Sequence, residues 1–154
     1  MRGDAPLFER ICLEAFQAGL SWWSVLQRRE ALRMAFAEFD PQVLSRWGES
    51  EVERLMGDAA IIRNRAKITA VLTNARAVIQ WAPGELTELI WSFQPQSHSV
   101  PERVSELPAT TIESTAMARE LKRRGLVFVG PTTCYALMQA CGLVNDHIAT
   151  CAQR

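Results

Sequence analysis

Glu14 stands where a helix should carry an apolar side chain, so it is the residue whose chemistry most needs explaining. The stretch Leu7–Leu20 reads LFERICLEAFQAGL. On a helix, Leu7, Ile11, Ala15 and Ala18 share one face, and Glu14 falls on that stripe between Ile11 and Ala18. A carboxylate aimed at an interior or a cleft is costly unless it is paired, protonated or given to a ligand. Gln17 lies one turn further on, and Ser21, Trp22 and Trp23 follow directly. A carboxylate, an amide and an indole beside one helix end have the chemistry of a pocket for a nucleobase. The structural alternative is an ion pair between Glu14 and an arginine from elsewhere.

Two other groups of side chains could do chemistry. Arg63, Arg65 and Lys67 gather where a helix is expected to begin. Cations oppose the positive end of the helix dipole, so their presence there suits a bound phosphate, as in contact with DNA; solvated charge on an ordinary turn is the alternative. Lys122, Arg123 and Arg124 close another helix, where their charge complements the dipole and needs no ligand. His147 and Cys151 are four apart, so on a helix they would face the same way and could share a metal. A structural zinc takes four ligands, and only these two are evident. His98 lies in a polar loop and is expected to be solvated. Cys134 and Cys141, seven apart on one helix, read as core packing.

The elements that must position these groups are helical from end to end. Expected helices cover Leu7–Leu20, Trp22–Phe39, Glu51–Met56, Asn64–Trp81, Glu85–Trp91, about 110–124, and a last one opened by Gly130-Pro131-Thr132. Phe93–Pro108, rich in Pro, Ser and Gln, is the longest loop and suggests two helical lobes, with the first and last helices in one unit. The 154 residues are 48% hydrophobic, enough for one domain with a real core. Seventeen basic and 17 acidic residues leave no net charge, which excludes a globally basic nucleic-acid binder and leaves only a local patch. No apolar run approaches a membrane span, and the first residues form no secretory core; with four cysteines and no export signal the expected location is cytoplasmic.

Three segments together are similar to a known family. LFERICLEAFQAGLSWWSVLQRRE (7–30), AAIIRNRAKITAVLTNARA (59–77) and VFVGPTTCYALMQACGLVNDH (127–147) resemble the DNA-3-methyladenine glycosylase I family in order and separation. The resemblance runs from Leu7 to Cys151. It implies an all-α helix-hairpin-helix DNA glycosylase, one domain over 1–154 with a cleft between helical lobes and the helix-hairpin-helix at about 51–81. It implies a monofunctional enzyme that excises N3-methyladenine from alkylated double-stranded DNA in base excision repair, without an organic cofactor, membrane or protein partner. By position, Glu14 matches the glutamate that recognises the flipped base and is the candidate catalytic residue. Gln17 and Trp22 join it in substrate binding. Arg63, Arg65 and Lys67 lie in the segment that grips DNA, and His147 and Cys151 match two of the family's zinc ligands.

This chain departs from the family's pattern in ways that set further expectations. Only six residues precede Leu7, where the family has a segment that carries the remaining zinc ligands and part of the pocket wall. The expectation is therefore a half zinc site, in a chain that is either truncated or divergent. Ala60 and Ala66 stand where the family favours glycine, and Ala15 and Phe16 replace a glycine and a polar residue. The alternatives to an active glycosylase are a non-catalytic or truncated helix-hairpin-helix relative that still binds DNA, and a folded remnant with neither property.

Overall fold

The computed structural model describes residues 1–97, 101–148 and 151. Helix α1 (Asp4–Gln17) is the central element, with Leu7, Phe8, Ile11, Cys12, Leu13, Ala15 and Phe16 all buried. It is displaced by three residues from the expected span at both ends, because Asp4 is fixed by another task. The Asp4 carboxylate accepts from the Gly84 and Thr87 N–H groups at 2.7 and 2.9 Å and from the Thr87 hydroxyl at 2.6 Å. It thereby caps helix α7 (Glu85–Trp91) and docks that helix on α1.

The expected long second helix is three pieces. Ser21 caps α2 (Trp22–Leu26), accepting from the Ser24 N–H at 3.2 Å. Helix α3 (Arg29–Ala35) follows, then a single 3-10 turn at Ala37–Phe39. Ala37, Glu38 and Phe39 have φ of 50°, 56° and 57°, a left-handed turn without glycine. That backbone strain is offset by packing. The turn lets Phe36 and Phe39 both point inward, stacked with ring centroids 5.5 Å apart, and Phe16 meets Phe36 edge-on at 5.6 Å. A periodic pattern alone could not reveal it, since Phe36 and Phe39 are helix-spaced.

Asp40 caps α4 (Pro41–Leu44), with Pro41 at its first turn. Helix α5 (Glu49–Met56) starts two residues earlier than expected, its entry held by the Gly48 N–H donating to Glu51 at 2.8 Å. A tight connection then leads to α6 (Arg65–Val78), which Asn64 caps by accepting from the Lys67 N–H at 3.1 Å. Neither Ala60 nor Ala66 has a positive φ, so the connection does not demand glycine for its backbone angles. Beyond α7, a short 3-10 turn at Val104–Glu106 interrupts the long loop; His98 lies outside the described residues.

Helix α8 (Ile112–Arg123) is capped by Thr111 and halted by Gly125, whose φ of 93° suits glycine. The 126–129 connection is strapped to α6 by Asn74. Its amide donates to the Val127 carbonyl at 3.1 Å and accepts from the Val127 N–H at 2.8 Å. Helix α9 (Pro131–Cys141) then packs on both α8 and α1, so the first and last helices do share one unit. Cys12, Cys134 and Cys141 are buried thiols in this core, as expected for the latter two; burial pushes Cys134 up to about 12 and Cys141 up to about 11. All described helices are too short or too polar to cross a membrane, and no strand occurs among the described residues.

Candidate active site

The end of α1 and the start of α9 border an open cleft of about 200 Å³. It is lined by Glu14, Gln17, Ala18, Gly19 and Leu20 on one side and by Thr132, Thr133 and Ala136 on the other. That volume lies below the roughly 300–1,000 Å³ of drug-sized sites and is on the scale of a single base. Glu14 is only 3% exposed. One carboxylate oxygen accepts from the Arg10 Nε at 2.8 Å; the other, Oε2, is buried with no hydrogen-bond partner among the described residues. Burial raises the Glu14 carboxyl above the ordinary carboxylate range, and Arg10 opposes that shift. A buried carboxylate with one oxygen unsatisfied beside a cleft is a hydrogen-bond acceptor waiting for a donor.

Both sequence alternatives for Glu14 are therefore realised together: it lines a cleft, and it has an arginine partner. That partner comes from its own helix. Arg10 sits one turn before Glu14, and its guanidinium lies over the half-buried Trp22 ring at 4.2 Å from the centroid. Gln17 shares the cleft with Glu14, whereas Trp22 reaches Glu14 through Arg10. Sequence reasoning passed over Arg10 although the signal, a basic residue four before the acidic one, was present. It also passed over Thr132 and Thr133, whose place in the cleft depends on the docking of α9 against α1.

The three expected DNA-contacting residues have separate fates. Arg63 is exposed on the connection between α5 and α6. Arg65 projects to two glutamates of α5, ion-paired to Glu49 and Glu53. Lys67 does not offer its charge to a ligand outside the fold, which corrects the expectation. It is 6% exposed, and its ammonium donates to the carbonyls of Phe16 and Ala18 at 2.8 and 2.5 Å. These carbonyls end α1 and have no helical partner, so a cation is stabilising there. Its burial lowers the Lys67 pKa. The other basic group behaves as expected of surface charge. Arg123 and Arg124 both pair with Glu120, which their hydrogen bonds bring down to about 2, and Arg124 also pairs with Glu85.

His147 and Cys151 do come together, with the Cys151 Sγ 3.3 Å from the His147 Nδ1, but not on a helix. Gly142, at φ 81°, ends α9 in the left-handed conformation, and residues 143–148 beyond it are not helical. Among the described residues no group of three or more histidine, cysteine or acidic side chains is placed to hold a metal. Two donors do not complete the tetrahedral set of a structural zinc. Nearby, Tyr135 and Gln139 donate to the Asp146 carboxylate at 2.6 and 2.5 Å, tying the tail back to α9.

Comparison with known proteins places this geometry. A family model described as methyladenine glycosylase matches residues 1–154. DNA-3-methyladenine glycosylase 1 of Escherichia coli (strain K12) is 51% identical over 150 residues, covering 94% of this chain and 80% of that protein. A crystal structure of 3-methyladenine DNA glycosylase I superimposes with a TM-score of 0.94 at 44% identity, covering 99% of this chain and 86% of the other. A variant of 3-methyladenine DNA glycosylase I solved in complex with 3-methyladenine gives a TM-score of 0.91 at 28% identity, covering 99% and 84%.

Proposed function

This chain belongs to the methyladenine glycosylase family, and from that premise we propose that it hydrolyses the N-glycosidic bond of N3-methyladenine in alkylated DNA, with Glu14 reading the base. The observation that carries the assignment of Glu14 is its unsatisfied, buried Oε2 in a carboxylate that lines a base-sized cleft.

The chemistry follows from the charge of the substrate. A purine inside the duplex is out of reach, so the nucleotide must turn out of the stack. Methylation at N3 puts a positive charge on the ring and weakens the bond to the sugar. The site then has little acid catalysis to supply; it has to prefer a planar cation over a neutral purine. A carboxylate held in a dry pocket does this by accepting from the exocyclic amine and by opposing the ring charge. The Trp22 face adds a preference for the cationic ring. Gln17 gives a neutral donor and acceptor at the cleft wall.

For the DNA we propose the segment 51–81 as the helix-hairpin-helix. Support comes from the close packing of α5 on α6 and from the exposed Arg63 between them. Arg65 braces the two helices through Glu49 and Glu53, so its contribution to phosphate binding requires those pairs to open. Zinc enters no step of this proposal.

The test is release of free 3-methyladenine from methylated DNA by the wild-type chain, Glu14→Gln and Trp22→Ala, with helical content followed by circular dichroism. Release by the wild type and a loss of at least about a hundredfold in folded Glu14→Gln supports the assignment. Undiminished release by Glu14→Gln refutes it. DNA binding that ignores the lesion, without release by any form, favours the non-catalytic relative instead.

A further inference from the structure

We propose that Arg10, which lies beside the cleft rather than in its lining, is the standing partner of the two groups that read the base. Its guanidinium holds Glu14 and the face of Trp22 when no base is bound, yields to a cationic base, and returns to displace that base once the glycosidic bond has broken. The proposal rests on the assignment of Glu14 and Trp22 to base recognition.

The geometry is that of an internal substitute for the ligand. The guanidinium is planar, cationic and rich in N–H donors, as is the exocyclic-amine edge of a methylated adenine. It makes both contacts proposed for that base at once: a charge-assisted hydrogen bond of 2.8 Å to Glu14 Oε1, and a cation–π contact with its Cζ 4.2 Å from the Trp22 centroid. A base that takes these same two contacts requires the guanidinium to move. The guanidinium has a way out, because the Arg10 side chain is 21% exposed while that of Glu14 is 2% exposed. The occupancy is also incomplete. Arg10 engages Oε1 alone and leaves Oε2 without a partner among the described residues, so a base that reaches both oxygens has an advantage over it.

The reaction itself reverses that advantage. Water bonds its oxygen to the sugar C1′, the electron pair of the C1′–N bond moves onto the purine and cancels the ring charge, and the second proton of water passes to solvent. The base that remains is neutral. It loses the cation–π attraction and the charge-assisted bond, while the guanidinium keeps both. Exchange therefore favours the substrate before cleavage and Arg10 after it. A residue that displaces product in this way acts on turnover rather than on the chemical step.

The experiment compares Arg10→Met and Arg10→Lys with wild type in two assays: inhibition of multiple-turnover release by added free 3-methyladenine, and single-turnover release. In Arg10→Met the inhibition constant should fall about tenfold, and turnover should become slow relative to the single-turnover rate. Arg10→Lys, which keeps a cation beside Glu14 but loses the planar stack, should fall between. Thermal unfolding checks both variants, and Arg10→Lys carries the test if Arg10→Met does not fold. Unchanged or weaker inhibition in the folded variants overturns the exchange and makes Arg10 a fixed partner of Glu14. If Glu14→Gln at the same time abolishes release, only the exchange has failed. Full release by Glu14→Gln overturns both the exchange and the assignment beneath it.

Discussion

Replacing Lys67 by methionine separates two roles that a basic residue at a helix start can have. Methionine keeps most of the side-chain volume and removes the ammonium. In the structure that ammonium serves the carbonyls of Phe16 and Ala18 at 2.8 and 2.5 Å, at the end of α1. Hydrogen bonds from a charged donor contribute about 1.5–3 kcal/mol each. Against them stands the cost of taking the ammonium out of water, visible in its lowered pKa. The balance is a loss of about 2 kcal/mol in Lys67→Met, since the buried Phe16 carbonyl and the more exposed Ala18 carbonyl both lose their charged donor. For a chain of this length that corresponds to a fall of about 4–8 °C in Tm. Base release should fall as well, because Ala18, Gly19 and Leu20 line the cleft and lose their anchor. Affinity for undamaged DNA should keep its salt dependence. If Lys67 instead gripped a phosphate, the slope of log K against log salt would shrink by about 0.9 with no loss of stability. A preserved Tm together with that smaller slope would show that Lys67 grips the DNA and not the end of α1.

Three further outcomes follow from the same packing. Burial holds the Glu14 carboxyl above its usual range, so the native state binds more protons than the unfolded one between the two values, and ionised Glu14 reduces stability as pH rises above about 4.5; Glu14→Gln should be more stable than wild type at pH 8 and lose that lead towards pH 4, as thermal melts across the range would show. Asn74→Ala removes both bonds of the strap to Val127 and should cost about 2 kcal/mol, with faster amide exchange at 126–129; slow exchange there would mean that Leu126 and Val129 alone hold the connection. A chelator should leave the Tm of this chain unchanged, because the described residues bring only His147 and Cys151 together; a structural zinc contributes on the order of 10 kcal/mol to folding, so its loss would be conspicuous.

What could be read from the sequence was whatever local chemistry decides. Ser21 caps a helix because a short polar side chain can take an N–H two or three residues on, and the helices expected to open near Asn64 and Thr110-Thr111 do start there, capped by Asn64 and Thr111. Gly125 ends a helix where only glycine is at ease. The inward direction of Glu14 was legible for the same reason, as a break in an apolar period. What was not legible depends on distant partners. The turn at Ala37–Phe39 exists because Phe16, on another helix, offers a place for Phe36. The work of Lys67 is set by how α6 docks on α1, and no spacing within 63–67 encodes that. The tail containing His147 and Cys151 continued a helical pattern on paper, yet Gly142 had already ended the helix.

The end of α1 shows why a carboxylate can be kept in such a place. Glu14 lies in the last turn, where the negative end of the helix dipole opposes a second negative charge and burial opposes any charge at all. Two cations offset this from different directions. Lys67, brought by α6, neutralises the terminal carbonyls, while Arg10, one turn back on α1, pairs with the carboxylate itself. Only the first is locked, with the ammonium buried and doubly bonded; the second is partly exposed and holds one oxygen. The fold thus supplies a permanent charge for the helix end and an exchangeable one for the ligand. Losing Lys67 should therefore also push the Glu14 carboxyl further upward, and the acidic limb of the pH–rate profile should move to higher pH in Lys67→Met. An unshifted limb would show that the two charges at this helix end act independently.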